Sequence, residues 1–254
     1  MSYNYFNSGN KTHYFLFGEG PCVVFLHGYM EDHRVWDQVV KGIRGNTLLV
    51  PDLPGSSTGL IPENVDAIDF MADTVHGLIR SLGIEKYSVV GNSMGGYVAF
   101  RMMMRYSTNI DRVVLISTNP FSDTEKSERR RKREIKLLKA GKRDLIFNLF
   151  INSLGGRSRK LYELMSADII SENMISHQKS MMNRPDSSSL FRSPLVPVHF
   201  MIGENDALIP VSKIKELLGK CPEVDFKTVE DATHFLIVEN PDMATDFIVN
   251  SLNR

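Results

Sequence analysis

Short runs rich in β-branched and aromatic residues recur along this chain, spaced by stretches long enough to form helices. The runs are Tyr14 to Phe17, Val23 to Leu26, Thr47 to Val50, Tyr87 to Val90, Val113 to Ile116, Val198 to Ile202 and Asp225 to Val229. Several are apolar without a break, as strands must be when helices cover both faces of their sheet. Between them, Trp36 to Ile43, Ala67 to Leu82, Gly95 to Tyr106, Val211 to Leu218 and Asp242 to Leu252 read as helices. This alternation predicts crossover units and a mostly parallel sheet, hence an α/β fold. Ser8-Gly9-Asn10 predicts a hairpin turn that starts the sheet antiparallel.

The rhythm breaks between Asn119 and Pro197, where helical patterns follow one another without a strand. A helical cap inserted over residues 120–194, between core segments 1–119 and 195–254, explains the break. Asp144 to Ser153 is apolar around much of its circumference, and Ser122 to Lys142 is dense in charge. Gly155-Gly156 and Arg184-Pro185-Asp186 read as turns within the insertion or near its end. The 254 residues suffice for one large domain carrying such an insertion, and 42% hydrophobic with 24% charged residues is a globular composition. No apolar run approaches the roughly 20 residues of a membrane span. Thirty basic and thirty acidic side chains cancel, which argues against a general nucleic-acid or membrane-surface role. The opening Met1-Ser2-Tyr3-Asn4-Tyr5 lacks the basic and then apolar pattern of a signal peptide, so a cytoplasmic location is expected. Cys22 and Cys221 are too few for a disulfide framework or a zinc site; reduced structural thiols are expected, with a single bridge left open.

Gly91-Asn92-Ser93-Met94-Gly95-Gly96 stands between an expected strand and an expected helix. A serine at such a junction reads as a nucleophile on a sharp strand-to-helix turn. Reversing direction in so few residues brings two backbones together, so Gly91 and Gly95, two before and two after the serine, must carry almost no side chain. The turn also holds the hydroxyl at a helix N-terminus, where unpaired N–H groups favour developing negative charge. A bare Gly-x-Ser-x-Gly match arises by chance in about one chain in ten of this size, so its surroundings must carry the assignment.

Those surroundings resemble the α/β-hydrolase superfamily over nearly the whole chain. Besides Gly91 to Gly96, the resemblance rests on Val23-Val24-Phe25-Leu26 running into His27-Gly28-Tyr29 and on Pro51-Asp52-Leu53-Pro54-Gly55 after the next strand. It rests also on Gly203-Glu204-Asn205-Asp206 with Ile209-Pro210, and on Ala232-Thr233-His234-Phe235 near the end. The resemblance implies an α/β-hydrolase fold: about eight strands flanked by helices, with the nucleophile at the carboxyl edge of the sheet. It also implies the chain order nucleophile, acid, histidine. In one departure, Ser56-Ser57-Thr58-Gly59 follows Pro54-Gly55 where many relatives carry His-Gly and a serine.

The chemistry leads to the same residues. A serine hydroxyl needs an imidazole to take its proton, and the imidazole needs a carboxylate to fix its tautomer. His234 follows the last expected strand, where a loop can return to the carboxyl edge. His13 and His199 lie in strands, His76 on a helix, His177 in the cap, and His27 and His33 in an early loop. Asp206 is the expected acid, with Glu204 and Asp231 as its competitors. The resemblance assigns the oxyanion donors to the backbone N–H groups of Tyr29 and Met94, with His27 bracing the loop. Gly28 belongs to the same loop.

Ser93 disfavours the alkyl-transfer chemistry of relatives that carry aspartate there. The expected activity is a serine esterase that cleaves a small-to-medium carboxylic ester through an acyl-enzyme, without metal or cofactor. Thioester cleavage, carbon-carbon hydrolysis of the ring-fission-product type, and a receptor role without catalysis are the alternatives. Phe147, Phe150 and Met165 of the cap are candidate substrate contacts. The basic segment 126–143 is a candidate dock for an anionic acyl carrier, as the resemblance to carrier-linked methyl-ester hydrolases suggests.

Overall fold

The computed structural model describes residues 1–7, 10–57, 59–152 and 159–254. Its strands are β1 (Ser2–Asn7), β2 (Asn10–Phe17), β3 (Cys22–Leu26), β4 (Thr47–Pro51), β5 (Tyr87–Asn92), β6 (Ile110–Ile116), β7 (Val198–Gly203) and β8 (Val224–Val229). They form one eight-stranded sheet in the order β1-β2-β4-β3-β5-β6-β7-β8. The two pairings of β2 are antiparallel and all later ones are parallel, so the expected mostly parallel sheet is met. Asn7 pairs with Asn10 across the first hairpin. Ser8 and Gly9 of its expected turn lie outside the described residues, as do Thr58, Ser153, Gly155 and Gly156.

The helices are α1 (Ala67–Ser81), α2 (Met94–Tyr106), α3 (Glu125–Lys139), α4 (Arg143–Asn152), α5 (Arg159–Ser166), α6 (Ser171–Asn183), α7 (Ser189–Arg192), α8 (Val211–Leu218), α9 (Leu236–Glu239) and α10 (Pro241–Leu252). Alternation along the strands feeds two cores, because successive side chains point to opposite faces of a sheet. Val24, Leu26 and Val89 pack with Met71 and Val75 of α1 and Val98 of α2. Val23, Phe25 and Val90 pack instead with Trp36 and with Phe247 and Ile248 of α10. Burial of each such side chain stabilises the fold by about 1.5–3 kcal/mol. Sandwiching on both faces explains why β3 and β5 are buried at every residue.

The helix expected over Trp36 to Ile43 is absent. Two separate 3-10 turns stand there, His33–Trp36 and Val40–Gly42, with hydrogen bonds that close on the third residue. The Asp32 side chain accepts the Arg34 N–H and starts the first turn early, while the Trp36 ring meets Phe25 edge to face at 5.3 Å. Pinned at both points, the short link between β3 and β4 follows the core instead of its local helical spacing.

Helices α3 to α7 lie between β6 and β7 and are tied to the rest of the chain by buried polar contacts. Ser180 Oγ accepts the Ala67 N–H at the start of α1 at 2.6 Å, and Asn173 Oδ1 accepts the Ile61 N–H at 3.1 Å. Asp123 holds two arginines, Arg131 Nε at 2.6 Å and an Arg184 guanidinium nitrogen at 2.5 Å, and all three side chains are at least nine-tenths buried. The Arg184 guanidinium also stacks on Tyr97 of α2, 4.2 Å from the ring centre.

The basic residues of segment 126–143 do not all face outward. Arg131 is an internal ion-pair partner, and Arg143 turns back to donate to the carbonyls of Ile169, Ser166 and Ala167. Arg130, Lys132 and Arg133 remain exposed. Cys22 and Cys221 are both buried and unpaired, which closes the question of a bridge. Burial pushes the Cys22 thiol up to about 12, far from a reactive thiolate. Among the described residues no helix is long and apolar enough to cross a membrane.

Candidate active site

β5 and α2 meet at Ser93, whose backbone is forced to φ 50° and ψ −112°. Such a conformation costs a non-glycine residue about 1–3 kcal/mol, so its surroundings must over-determine it. They do. The Ser93 N–H donates to Ile116 O at 3.0 Å, and its carbonyl accepts from Gly96 N at 3.0 Å and Thr118 Oγ1 at 2.8 Å. The glycines around it stand where side chains cannot: a Cβ on Gly91 would lie 2.7 Å from Gly95 O, and one on Gly95 would lie 2.2 Å from Leu26 O.

The Ser93 hydroxyl, half-buried, lies 2.9 Å from His234 Nε2. His234 Nδ1 lies 2.7 Å from Asp206 Oδ2. A carboxylate can only accept at that contact, so Nδ1 carries the proton and Nε2 is left to accept from Ser93. Asp206 is itself held, because its Oδ1 accepts the N–H groups of Leu208 at 2.8 Å and Ile209 at 3.1 Å. The structure therefore brings Ser93, His234 and Asp206 into one relay. The competing acids stand elsewhere: Glu204 faces Lys215 at 3.6 Å, and Asp231 is exposed in a turn at φ 55°.

The loop after β3 lies against the same serine. His27 donates from Nδ1 to Gly28 O at 2.9 Å and accepts the Leu53 N–H at Nε2 at 2.8 Å, which fastens it to the loop after β4. Two side chains of the departing Ser56-Ser57 stretch hold that second loop: Ser56 Oγ donates to Leu53 O at 2.7 Å and Ser57 Oγ to Asp52 Oδ2 at 2.8 Å. The N–H groups of Tyr29 and Met94 are taken by no protein acceptor among the described residues. The first lies in the loop after β3 and the second at the N-terminus of α2.

Of the expected substrate contacts, Phe150 meets Phe235, the neighbour of His234, edge to face at 5.8 Å. Phe147 is half-buried. Met165 is fully buried in the core cluster that contains Trp36 and Tyr162. Sequence reasoning passed over His177, which comes from α6 to stand 6.1 Å from the Tyr29 ring and to donate from Nε2 to Pro54 O at 3.2 Å. Burial drives its pKa down to about 4, against a partial offset from the Pro54 carbonyl. A folded-state value below that of the unfolded chain means the unfolded state binds the extra proton first. Stability is therefore lost as pH falls from about 6.5 toward 4, by at most about 3 kcal/mol. In urea titrations across this window, His177→Gln is expected to show a shallower loss of stability than the parent. An identical slope for the two proteins would remove His177 from the acid response.

Among the described residues, His13, His33 and Asp52 form a group that could hold a metal ion, with ligand atoms within 4.8 Å of one another. Hydrogen bonds already use the carboxylate: His33 Nδ1 and N–H meet Oδ1 at 2.7 and 2.9 Å, and His13 Nδ1 meets Oδ2 at 3.3 Å. Burial alone would raise the Asp52 pKa, but the bond and charge of His33 hold it well below the usual carboxylate range. The cluster thus fastens β2 to the loops after β3 and β4.

Residues 23–245 match the alpha/beta hydrolase family. Among solved structures, an esterase of Thermogutta terrifontis superposes with a TM-score of 0.87 at 24% identity, covering 100% of this chain and 98% of that one. The 2-(acetamidomethylene)succinate hydrolase of Mesorhizobium japonicum is 21% identical over 248 residues, 93% of this chain and 89% of its own. An uncharacterised Mycobacterium tuberculosis protein is 28% identical over 110 residues, 43% of this chain, so the match spans only 32% of that relative's length. At such identities the structural likeness shows the fold, and the family match extends over most of the chain. The chain belongs to the alpha/beta hydrolase family.

Proposed function

We propose that this hydrolase is a serine esterase that cleaves a small-to-medium carboxylic ester through an acyl-enzyme. The observation that carries the reading is the relay from Ser93 Oγ to His234 Nε2 at 2.9 Å and from His234 Nδ1 to Asp206 Oδ2 at 2.7 Å. Ser93 Oγ attacks the ester carbonyl as its proton passes to His234, and Asp206 steadies the imidazolium. The carbonyl oxygen becomes an oxyanion facing the N–H groups of Tyr29 and Met94. Collapse breaks the carbon–oxygen bond, and His234 returns the proton to the departing alcohol. Water then gives its proton to His234 and its oxygen to the acyl carbon, which releases the acid and restores Ser93. The chemistry needs no metal or cofactor.

Acyl specificity would come from helices α3 to α7, with Phe150 against Phe235, the residue after His234. If the substrate arrives on an anionic carrier, Arg130, Lys132 and Arg133 are among the exposed cations of segment 126–143 that would meet it. The test joins fluorophosphonate labelling with a rate series over 4-nitrophenyl esters of increasing acyl length. Stoichiometric labelling at Ser93 and an optimum in acyl length are expected. A folded protein that resists the reagent and turns over none of the esters would count against the esterase and favour the receptor role.

A further inference from the structure

Glu31 is 4% exposed in the loop after β3 and takes no part in the relay of Ser93, His234 and Asp206. Its partners are neutral donors: the Gly28 N–H at 2.5 Å from Oε2, the Asn92 side-chain amide at 3.1 Å from Oε2, and the Tyr162 hydroxyl at 2.8 Å from Oε1. Burying a carboxylate away from any cation is costly unless donors surround it, so the arrangement calls for an explanation beyond packing.

The partners supply one. Asn92 directly precedes Ser93, and Gly28 directly precedes Tyr29. A Cβ on Gly28 would stand 2.7 Å from Glu31 Oε2 and 3.2 Å from Ser93 Cβ, so the carboxylate and the serine flank the same backbone atom. Glu31 fixes the Gly28 N–H while His27 Nδ1 fixes the Gly28 carbonyl at 2.9 Å. That carbonyl shares a rigid peptide plane with the Tyr29 N–H, which points the opposite way. Holding both ends of Gly28 therefore sets the direction of the Tyr29 N–H. Tyr162, the third partner, comes from α5 and packs edge to face on Phe235, next to His234, at 5.5 Å.

We propose that Glu31 is a positioning residue whose carboxylate clamps the Gly28 amide and the Asn92 side chain, aims the Tyr29 N–H at the oxyanion, and couples the seating of α5 to that aim through Tyr162. The inference rests on the esterase reading. Burial and the neighbouring Glu31 charge push the Tyr162 hydroxyl far above its ordinary pKa, which keeps it a donor.

The decisive variant is Glu31→Gln, which keeps the size of the side chain but removes the charge and leaves one acceptor oxygen where the Gly28 N–H, Asn92 and Tyr162 hydroxyl share two. With 4-nitrophenyl butyrate, kcat is expected to fall roughly 10- to 100-fold with KM within about twofold, since the lost alignment acts on the transition state. The second-order rate of fluorophosphonate labelling at Ser93 is expected to fall by a similar factor. Tyr162→Phe is expected to lose about threefold, and the double variant to be no slower than Glu31→Gln alone, because the hydroxyl acts through the carboxylate. A folded Glu31→Gln protein within twofold of the parent in labelling rate and kcat overturns the proposal. Should that variant not fold, Tyr162→Phe decides, and an unchanged labelling rate overturns the proposal. A parent protein that the reagent does not label overturns the esterase reading itself, whereas a labelled parent with equally fast variants overturns only the role of Glu31.

Discussion

Ser93→Ala is expected to lower kcat/KM for a 4-nitrophenyl ester by at least about 10,000-fold while leaving the protein folded. The alanine removes the atom that bonds to the acyl carbon. Water activated by His234 could still attack, and the free amides of Tyr29 and Met94 would still stabilise charge, so a trace of turnover above buffer is compatible with the assignment. The backbone contacts of residue 93 to Ile116, Gly96 and Thr118 involve only its N–H and carbonyl, so they survive the change. The melting temperature is therefore expected to stay within a few degrees of the parent. Turnover close to the parental value in a verified Ser93→Ala preparation would remove Ser93 as nucleophile, and with it the acyl-enzyme.

Gly95→Ala acts on the same turn from the other side. The added methyl would stand 2.2 Å from Leu26 O and 2.7 Å from His27 O, and both are backbone atoms of the β3 edge and its loop. Relief requires α2 to move off β3 or the loop to move off His27, and either shift disturbs Gly28 and Ser93 together. A loss of at least about 3 kcal/mol is expected, which lowers the melting temperature of a chain this size by roughly 10 °C. Labelling of Ser93 is expected to fall below detection in whatever fraction stays folded. A variant that melts and labels like the parent would mean that the close approach of α2 to β3 is not what holds the turn.

How much of this was legible beforehand depended on whether the signal was local. Seven of the eight strands could be read because they are short β-rich runs, several apolar throughout, and Gly91 to Gly96 because its pattern is complete within six residues. Ser93, Asp206 and His234 were singled out by block order and stand within hydrogen-bond reach of one another. Glu31 left no such trace. Its partner Tyr162 is 131 residues away, and a lone glutamate in a loop looks like a solvated charge. Arg131 was hidden differently, inside a run of like charges whose members look equivalent. Helical spacing distinguishes it, since it lies seven residues before the buried Leu138 on α3. For Trp36 to Ile43 the local pattern was legible and misleading, because contacts with Phe25 and the Asp32 cap overrode it.

The relay also spans much of the chain. Ser93 and His234 are 141 residues apart, and Asp206 stands between them in sequence. Synthesis therefore delivers Ser93 well before Asp206 and His234. On the esterase reading, Ser93 has no base to take its proton until both have been made. On that reading, an active-site reagent used on nascent or refolding protein would report the molecules in which Asp206 and His234 have joined Ser93.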